Sequence, residues 1–433
     1  MSDHQRSFIS NRANTGVRPY GNRTMTDLRN YTLVTGAYWG FTLTDGALRM
    51  LVLLHFHQLG YSPVQIAFLF LFYEFFGIVT NLLGGWIGSH LGLRITLFAG
   101  LALQVVALSM LALLDPGWSV TVSVAYVMAA QALSGIAKDL TKMSSKSAIK
   151  VLIPEDAQGT LFKWVAILTG SKNALKGAGF FLGGVLLGRI GFRASLFAMA
   201  AALALVLAAV IFSLPGEMGR AKVKVKFRSI LAKSRNINLL SAARLFLFGS
   251  RDIWFVVGLP VYLASRLDWS HGEVGGFLAL WVIGYGGVQA LAPKLLSRGL
   301  AGGPPKGGTA AVGAFILAAL TSLIALGVHA GLSPWLTVVA GLALFGVVFA
   351  VNSSVHSYLV LAYTESDQAA LNVGFYYMAN AAGRLIGTLL SGVVFQVAGL
   401  TGCLWVSAAF VLTAGGLSML LPRGERTREL RAQ

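Results

Sequence analysis

Residues 177–192 read GAGFFLGGVLLGRIGF, and a shift of 208 positions lays them on LIGTLLSGVVFQVAGL at 385–400. Gly179, Gly184 and Gly191 then fall on Gly387, Gly392 and Gly399. The same shift sets Tyr61-Ser62 on Trp269-Ser270, and Gln65-Ile66 on Glu273-Val274. One offset holding at both ends of a half-chain marks an internal repeat. Both copies are apolar and glycine-rich, the composition of membrane helices that pack closely.

The whole chain agrees. Of its 433 residues 56% are hydrophobic and 12% charged, against roughly a quarter charged in a soluble domain. Apolar runs of about 20 residues predict spans at roughly 31–56, 63–87, 95–114, 119–148, 160–188, 194–214, 237–264, 274–297, 309–329, 335–363, 369–395 and 401–421. Each should be helical, because irregular backbone cannot face lipid. The net charge of +18 would suggest nucleic acid in a soluble protein, but here the placement of the charge decides. The longest connection carries Arg220, Lys222, Lys224, Lys226, Arg228, Lys233 and Arg235, and the chain after Leu421 adds Arg423, Arg426, Arg428 and Arg431. The loops at 57–62, 115–118 and 331–333 carry neither Lys nor Arg. Positive charge stays inside, so both termini and the central loop are expected on the cytoplasmic side, with no nucleic-acid partner.

The expected fold is therefore an all-α membrane protein of twelve helices in two pseudo-symmetric six-helix bundles, 31–214 and 237–421. A basic cytoplasmic loop, 215–236, joins them. Residues 1–30 and 422–433 read as cytoplasmic tails, the first polar and disordered, and a monomer is expected. Two six-helix bundles in parallel repeat resemble the major facilitator superfamily. So does GWIGSHLGLR at 85–94, which is similar to that superfamily's glycine-rich loop after the second span, with Gly85, Gly92 and Arg94 in place. Ser89 stands where the pattern has an acidic residue.

Charges inside the spans are expensive and mark either a cavity or a partner. Six cations are candidates for binding substrate: Arg49, Lys172, Lys176, Arg244, Arg251 and Arg384. Against them stand the acids Asp45, Glu74 and Asp252, with Asp139 on the fourth span; each is either a proton carrier or a counter-ion. Asp45 and Arg49 are one turn apart and can pair with each other. Arg251 and Asp252 are adjacent and point about 100° apart, so Asp252 is expected to find a partner on another helix. Lys172 and Lys176 repel at one-turn spacing, with no acid on their own face. The 208-residue shift lays Lys176 on Arg384, placing one cation at equal depth in each half. A net positive cavity favours an anion over a cationic drug. Lys138, Lys142 and Lys146 form an i, i+4 stripe that is either a cytoplasmic anchor or a basic ramp into that cavity.

No enzyme is expected. The sequence has no phosphate-binding loop for ATP and no His/Cys cluster, so neither catalytic residues, nor a metal, nor a cofactor is expected. The stretches FTLTDGALRMLVLLHFHQLGYSP, FLFYEFFGIVTNLLGGW, AAQALSGIAKDLTKMSSKSAIK, WVAILTGSKNALKG and ARLFLFGSRDIWFVVGLPVYLAS resemble the organoarsenical efflux permeases of the ArsJ type within that superfamily. The resemblance runs from about Leu28 to Leu421. It implies export of 1-arseno-3-phosphoglycerate across a bacterial inner membrane, giving arsenate resistance. It also implies a functional link to a glyceraldehyde-3-phosphate dehydrogenase that makes the ester. An anionic phosphorylated or arsenylated substrate suits the cationic interior. The single Cys403 argues against trivalent arsenic, a soft centre that calls for clustered thiolates. Carriage of another phosphorylated metabolite, such as a sugar phosphate, and a non-transporting anion receptor stay open.

Overall fold

The computed structural model describes residues 20–91, 93–152, 158–214, 234–299, 305–363 and 369–422. Of the glycine-rich stretch 85–94 only Gly92 lies outside the described residues, the rest closing α3 and opening α4; most of the central loop and of the C-terminal tail lies outside them. The elements are α1 (Tyr20–Gln58), α2 (Pro63–Leu69), α3 (Leu71–Leu91), α4 (Leu93–Ala112), α5 (Val120–Leu152), α6 (Gln158–Ser213), α7 (Arg235–Phe255), α8 (Gly258–Arg266), α9 (His271–Gly299), α10 (Gly307–His329), α11 (Gly341–Ala362) and α12 (Ala369–Met419), with a π-helical turn, Trp335–Ala340, before α11. Helix α1 begins inside the stretch expected as a tail. Among the described residues nine helical segments are long and apolar enough to cross a membrane. Two of them, Ser171–Ser213 and Asn372–Met419, cross twice, and α1 completes the twelve spans.

The 208-residue repeat is written into the backbone. The double-length helices α6 and α12 turn at Gly191 (φ 76°, ψ 176°) and Gly399 (φ 62°, ψ −162°). That region is open essentially to glycine alone, at a cost of order 1–3 kcal/mol for other residues. Gly191→Ala is thus expected to lower thermal stability by about that amount, read as a Tm shift in detergent. The turns before α2 and α9 hold positive φ at Gly60 and Asp268, again one repeat apart. Both helices then open with a capping box. Gln65 N–H donates to Ser62 Oγ while Ser62 N–H donates to Gln65 Oε1 at 2.8 Å; Ser270 and Glu273 do the same, with Oε2 at 2.7 Å.

These turns gather on one face of the molecule, the turn face, and there the two halves meet backbone to backbone. A methyl built on Gly184 of α6 would stand 2.4 Å from the carbonyl oxygen of His271 on α9. Its repeat mate Gly392 on α12 would meet the carbonyl of Pro63 on α2 at 2.5 Å. Pro63 and His271 are themselves 208 apart, so one contact is made twice.

Pro260 has no N–H and its ring disfavours helix one turn back, so the seventh span breaks between α7 and α8. The freed amides of Val257 and Gly258 both donate to Ser391 Oγ of α12, each at 3.1 Å. Buried amides need such a partner in lipid. Ser391→Ala is expected to cost about 1–3 kcal/mol per orphaned amide, measured as loss of thermal stability.

Candidate site: a central ion-pair chain and cavity

Four helices bring their charges together at mid-span. Glu74, fully buried on α3, accepts at Oε1 from Arg49 Nη2 of α1 at 2.8 Å and from Arg384 Nη2 of α12 at 2.5 Å. Arg384 Nε also donates to Asp252 Oδ2 of α7 at 3.2 Å. The other oxygen of Asp252 accepts Arg251 Nε at 2.6 Å. Arg49, Glu74, Arg384, Asp252 and Arg251 thus alternate in sign along one chain, three guanidiniums against two carboxylates. Burial of each ion costs several kcal/mol, which contact with two opposite charges offsets for Glu74, Arg384 and Asp252.

This arrangement closes one alternative the sequence left open and adds to an expectation. Asp45 does not pair with Arg49. It accepts the Tyr73 hydroxyl at 2.7 Å, because α3 sets Tyr73 and Glu74 side by side against α1. Asp252 does find a partner on another helix, Arg384, while also holding its sequence neighbour.

Lys176 stands apart from the chain. Its Nζ lies 5.5 Å from the centre of the Phe180 ring, and among the described residues it makes no ion pair or hydrogen bond. It lines a cavity of about 50 Å³ together with Arg49, Asn173, Arg251, Asp252, Phe255, Trp281, Val282 and Tyr285. The cavity therefore presents three cations to one carboxylate. Lys172, half-buried one turn earlier, does not line it.

The remaining candidates lie elsewhere. Arg244 is buried and held by neutral acceptors: Nε on Asn380 Oδ1 at 3.0 Å, Nη1 on the Ser353 carbonyl and hydroxyl at 3.1 Å each. Its guanidinium lies 3.8 Å from the Phe248 ring, and that ring also faces Arg251, at 5.0 Å. Helix α5 turns its first two lysines inward. Lys142 donates to Asp139 at 2.9 Å and to Asn81 at 2.8 Å, with Thr80 completing the cage of Asp139. Lys138 sits 4.0 Å over the Tyr73 ring. The Lys146 side chain lies outside the described residues. Sequence reasoning passed over Asn173, Trp281 and Tyr285; a lone Asn between Lys172 and Lys176 in an apolar helix was the available signal.

The profile of the Major Facilitator Superfamily matches residues 34–330, about two-thirds of the chain. The chain belongs to the major facilitator superfamily. It is a multi-pass membrane protein and a secondary transporter, not an enzyme. No curated protein matches it by sequence. Solved members align over nearly their full length: a D-xylose-proton symporter at TM-score 0.69, 12% identity, covering 92% of this chain and 98% of its own. The xylose transporter of E. coli, in a partially occluded inward-open conformation, gives TM-score 0.68 at 12% identity, with 92% and 99% covered. At that identity the likeness speaks for the superfamily fold alone.

Proposed function

We propose that this transporter exports an organic anion, 1-arseno-3-phosphoglycerate, from a bacterial cytoplasm and so confers arsenate resistance. The observation that carries the anion is Lys176, an ammonium without an ion-pair partner among the described residues, in a cavity it shares with two arginines. A cation drawn partly out of water without an ion-pair partner is costly, and an oxyanion supplies the missing charge. The ester itself comes from the ArsJ-type resemblance, and with it the link to a glyceraldehyde-3-phosphate dehydrogenase.

Termini on the cytoplasmic side make the turn face extracellular, so this conformer is closed to the outside. A cavity of about 50 Å³ is far below the roughly 300 Å³ that small-ligand sites start from. The substrate is admitted when the bundles part on the cytoplasmic side, and it leaves when the Gly184 and Gly392 contacts open.

In arsenate-sensitive cells, resistance is expected only when the chain and a glyceraldehyde-3-phosphate dehydrogenase are expressed together. Resistance without any dehydrogenase activity would overturn the ester as substrate. A sugar phosphate is the second reading, favoured by the aromatic wall of Phe255, Trp281 and Tyr285 beside the cations. Counterflow of labelled sugar phosphate in sealed vesicles, not competed by 3-phosphoglycerate, would select it.

Glu74, Asp139 and Asp252 are each held by cations, which leaves Asp45, held by a hydroxyl, as the carboxylate for a coupling proton. Asp45→Asn is expected to stop proton-driven accumulation in everted vesicles while exchange of internal for external substrate continues. Loss of both would show a structural role only.

A further inference from the structure

The ion-pair chain crosses between the two bundles at one link, Glu74 with Arg384, the only cross-bundle ion pair among the described residues. Arg49 and Glu74 belong to the first half; Asp252, Arg251 and Arg384 belong to the second. At that link one carboxylate oxygen serves two arginines from opposite halves, and the second, Oε2, is buried with no hydrogen-bond partner among the described residues. Two guanidiniums converging on a single oxygen is how a bound oxyanion would be held. The cavity reaches the same group from the other side, since Arg49 lines it.

We propose that Glu74 is a tethered stand-in for the anionic group of the substrate. In the absence of substrate it occupies Arg384 and Arg49 and locks the halves together. An incoming anion displaces it from Arg384, and the lock opens as the site fills. With Glu74 in place the five groups carry a net charge of +1; the Glu74–Arg384 pair joins the halves, and the surplus positive charge still attracts an anion. The second carboxylate, Asp252, is not equivalent: it ties Arg384 to Arg251 within one half and so positions the guanidinium without locking the bundles.

The proposal rests on the anion reading above and makes a prediction opposite in sign to that of a direct substrate ligand. Glu74→Gln removes the competitor but keeps the shape. Binding of the stable probes 3-phosphoglycerate and 2,3-bisphosphoglycerate to the purified full chain, read by calorimetry or by the fluorescence of Trp281, is expected to tighten at least tenfold. That lies within the about 5–150-fold range of couplings between sites. Net transport by the same variant is expected to fall, because the locked state is lost. Unchanged or weaker binding by a folded Glu74→Gln protein overturns the proposal.

A measurement on the unaltered chain covers the case of a variant that does not fold. Labelling of the Glu74 carboxyl by a membrane-permeant carbodiimide, read by peptide mass spectrometry, is expected to rise when 2,3-bisphosphoglycerate is added. No change, or protection, counts against displacement. Should neither probe nor inorganic phosphate bind the unaltered chain, the anion reading falls and this proposal with it. If the probes bind but Glu74 is not displaced, only the stand-in role is lost.

Discussion

Lys176→Met is expected to abolish anion transport while leaving the protein as stable as before, or more so. Among the described residues this ammonium has no ion pair or hydrogen bond, and the Phe180 ring centre lies 5.5 Å from it. Exchanging a half-buried charge that has no ion pair for an apolar side chain of similar length removes a desolvation cost without orphaning a neighbour. Truncating a charge that contacts a desolvated opposite charge typically loses about 2–5 kcal/mol of binding, so transport at sub-saturating substrate should drop by 30-fold or more. Arg384→Met is the contrasting case. It leaves Glu74 with Arg49 alone and Asp252 with Arg251 alone, both carboxylates buried. A broken buried pair costs about 3–5 kcal/mol, so Arg384→Met should lower the thermal midpoint sharply as well as stop transport. Thermal unfolding in detergent, beside vesicle uptake, separates the two. Normal uptake by Lys176→Met would remove Lys176 from the substrate path.

Gly383→Val is expected to prevent assembly of the second half altogether. A methyl at Gly383 would stand 2.1 Å from the Leu245 carbonyl oxygen, and one at Gly387, a turn on, 2.6 Å from the Gly249 carbonyl oxygen of α7. Helix α12 packs more extensively on α7 than on any other element, so the whole interface must shift to admit a side chain. Forcing bulk into a well-packed interface costs about 1–3 kcal/mol even where neighbours can move, and backbone cannot. Failure of the variant to reach the membrane as a monodisperse species on size exclusion is the expected readout. A folded, monodisperse Gly383→Val would show that the α7–α12 contact is slack. The first half makes the matching contact at Gly179 and Gly183 against α1, and the same substitution there should behave alike.

Much of this architecture was legible in the chain because lipid enforces it. An apolar run of about 20 residues has few alternatives to a helix, and a conserved register between halves needs only an offset to be seen. The offset of 208 predicted more than similarity: Gly191 and Gly399 are both turns, Ser62 and Ser270 both caps, and Gly184 and Gly392 the same contact made twice. Lys176 and Arg384, equated by that offset, nonetheless have opposite fates. Arg384 is tied to two carboxylates, and Lys176 to none among the described residues.

The sequence by itself determined the class, the span count, the repeat and the excess of cations within the spans, since each is a property of composition or local period. Only the tertiary structure decided which charge meets which. Asp45 and Arg49 lie one turn apart on α1 and pair with different groups on α3; Glu74 meets an arginine 310 positions away. Ion pairing in a low-dielectric interior is settled by distances of a few ångströms between helices, and helix periodicity specifies only the face from which each side chain leaves.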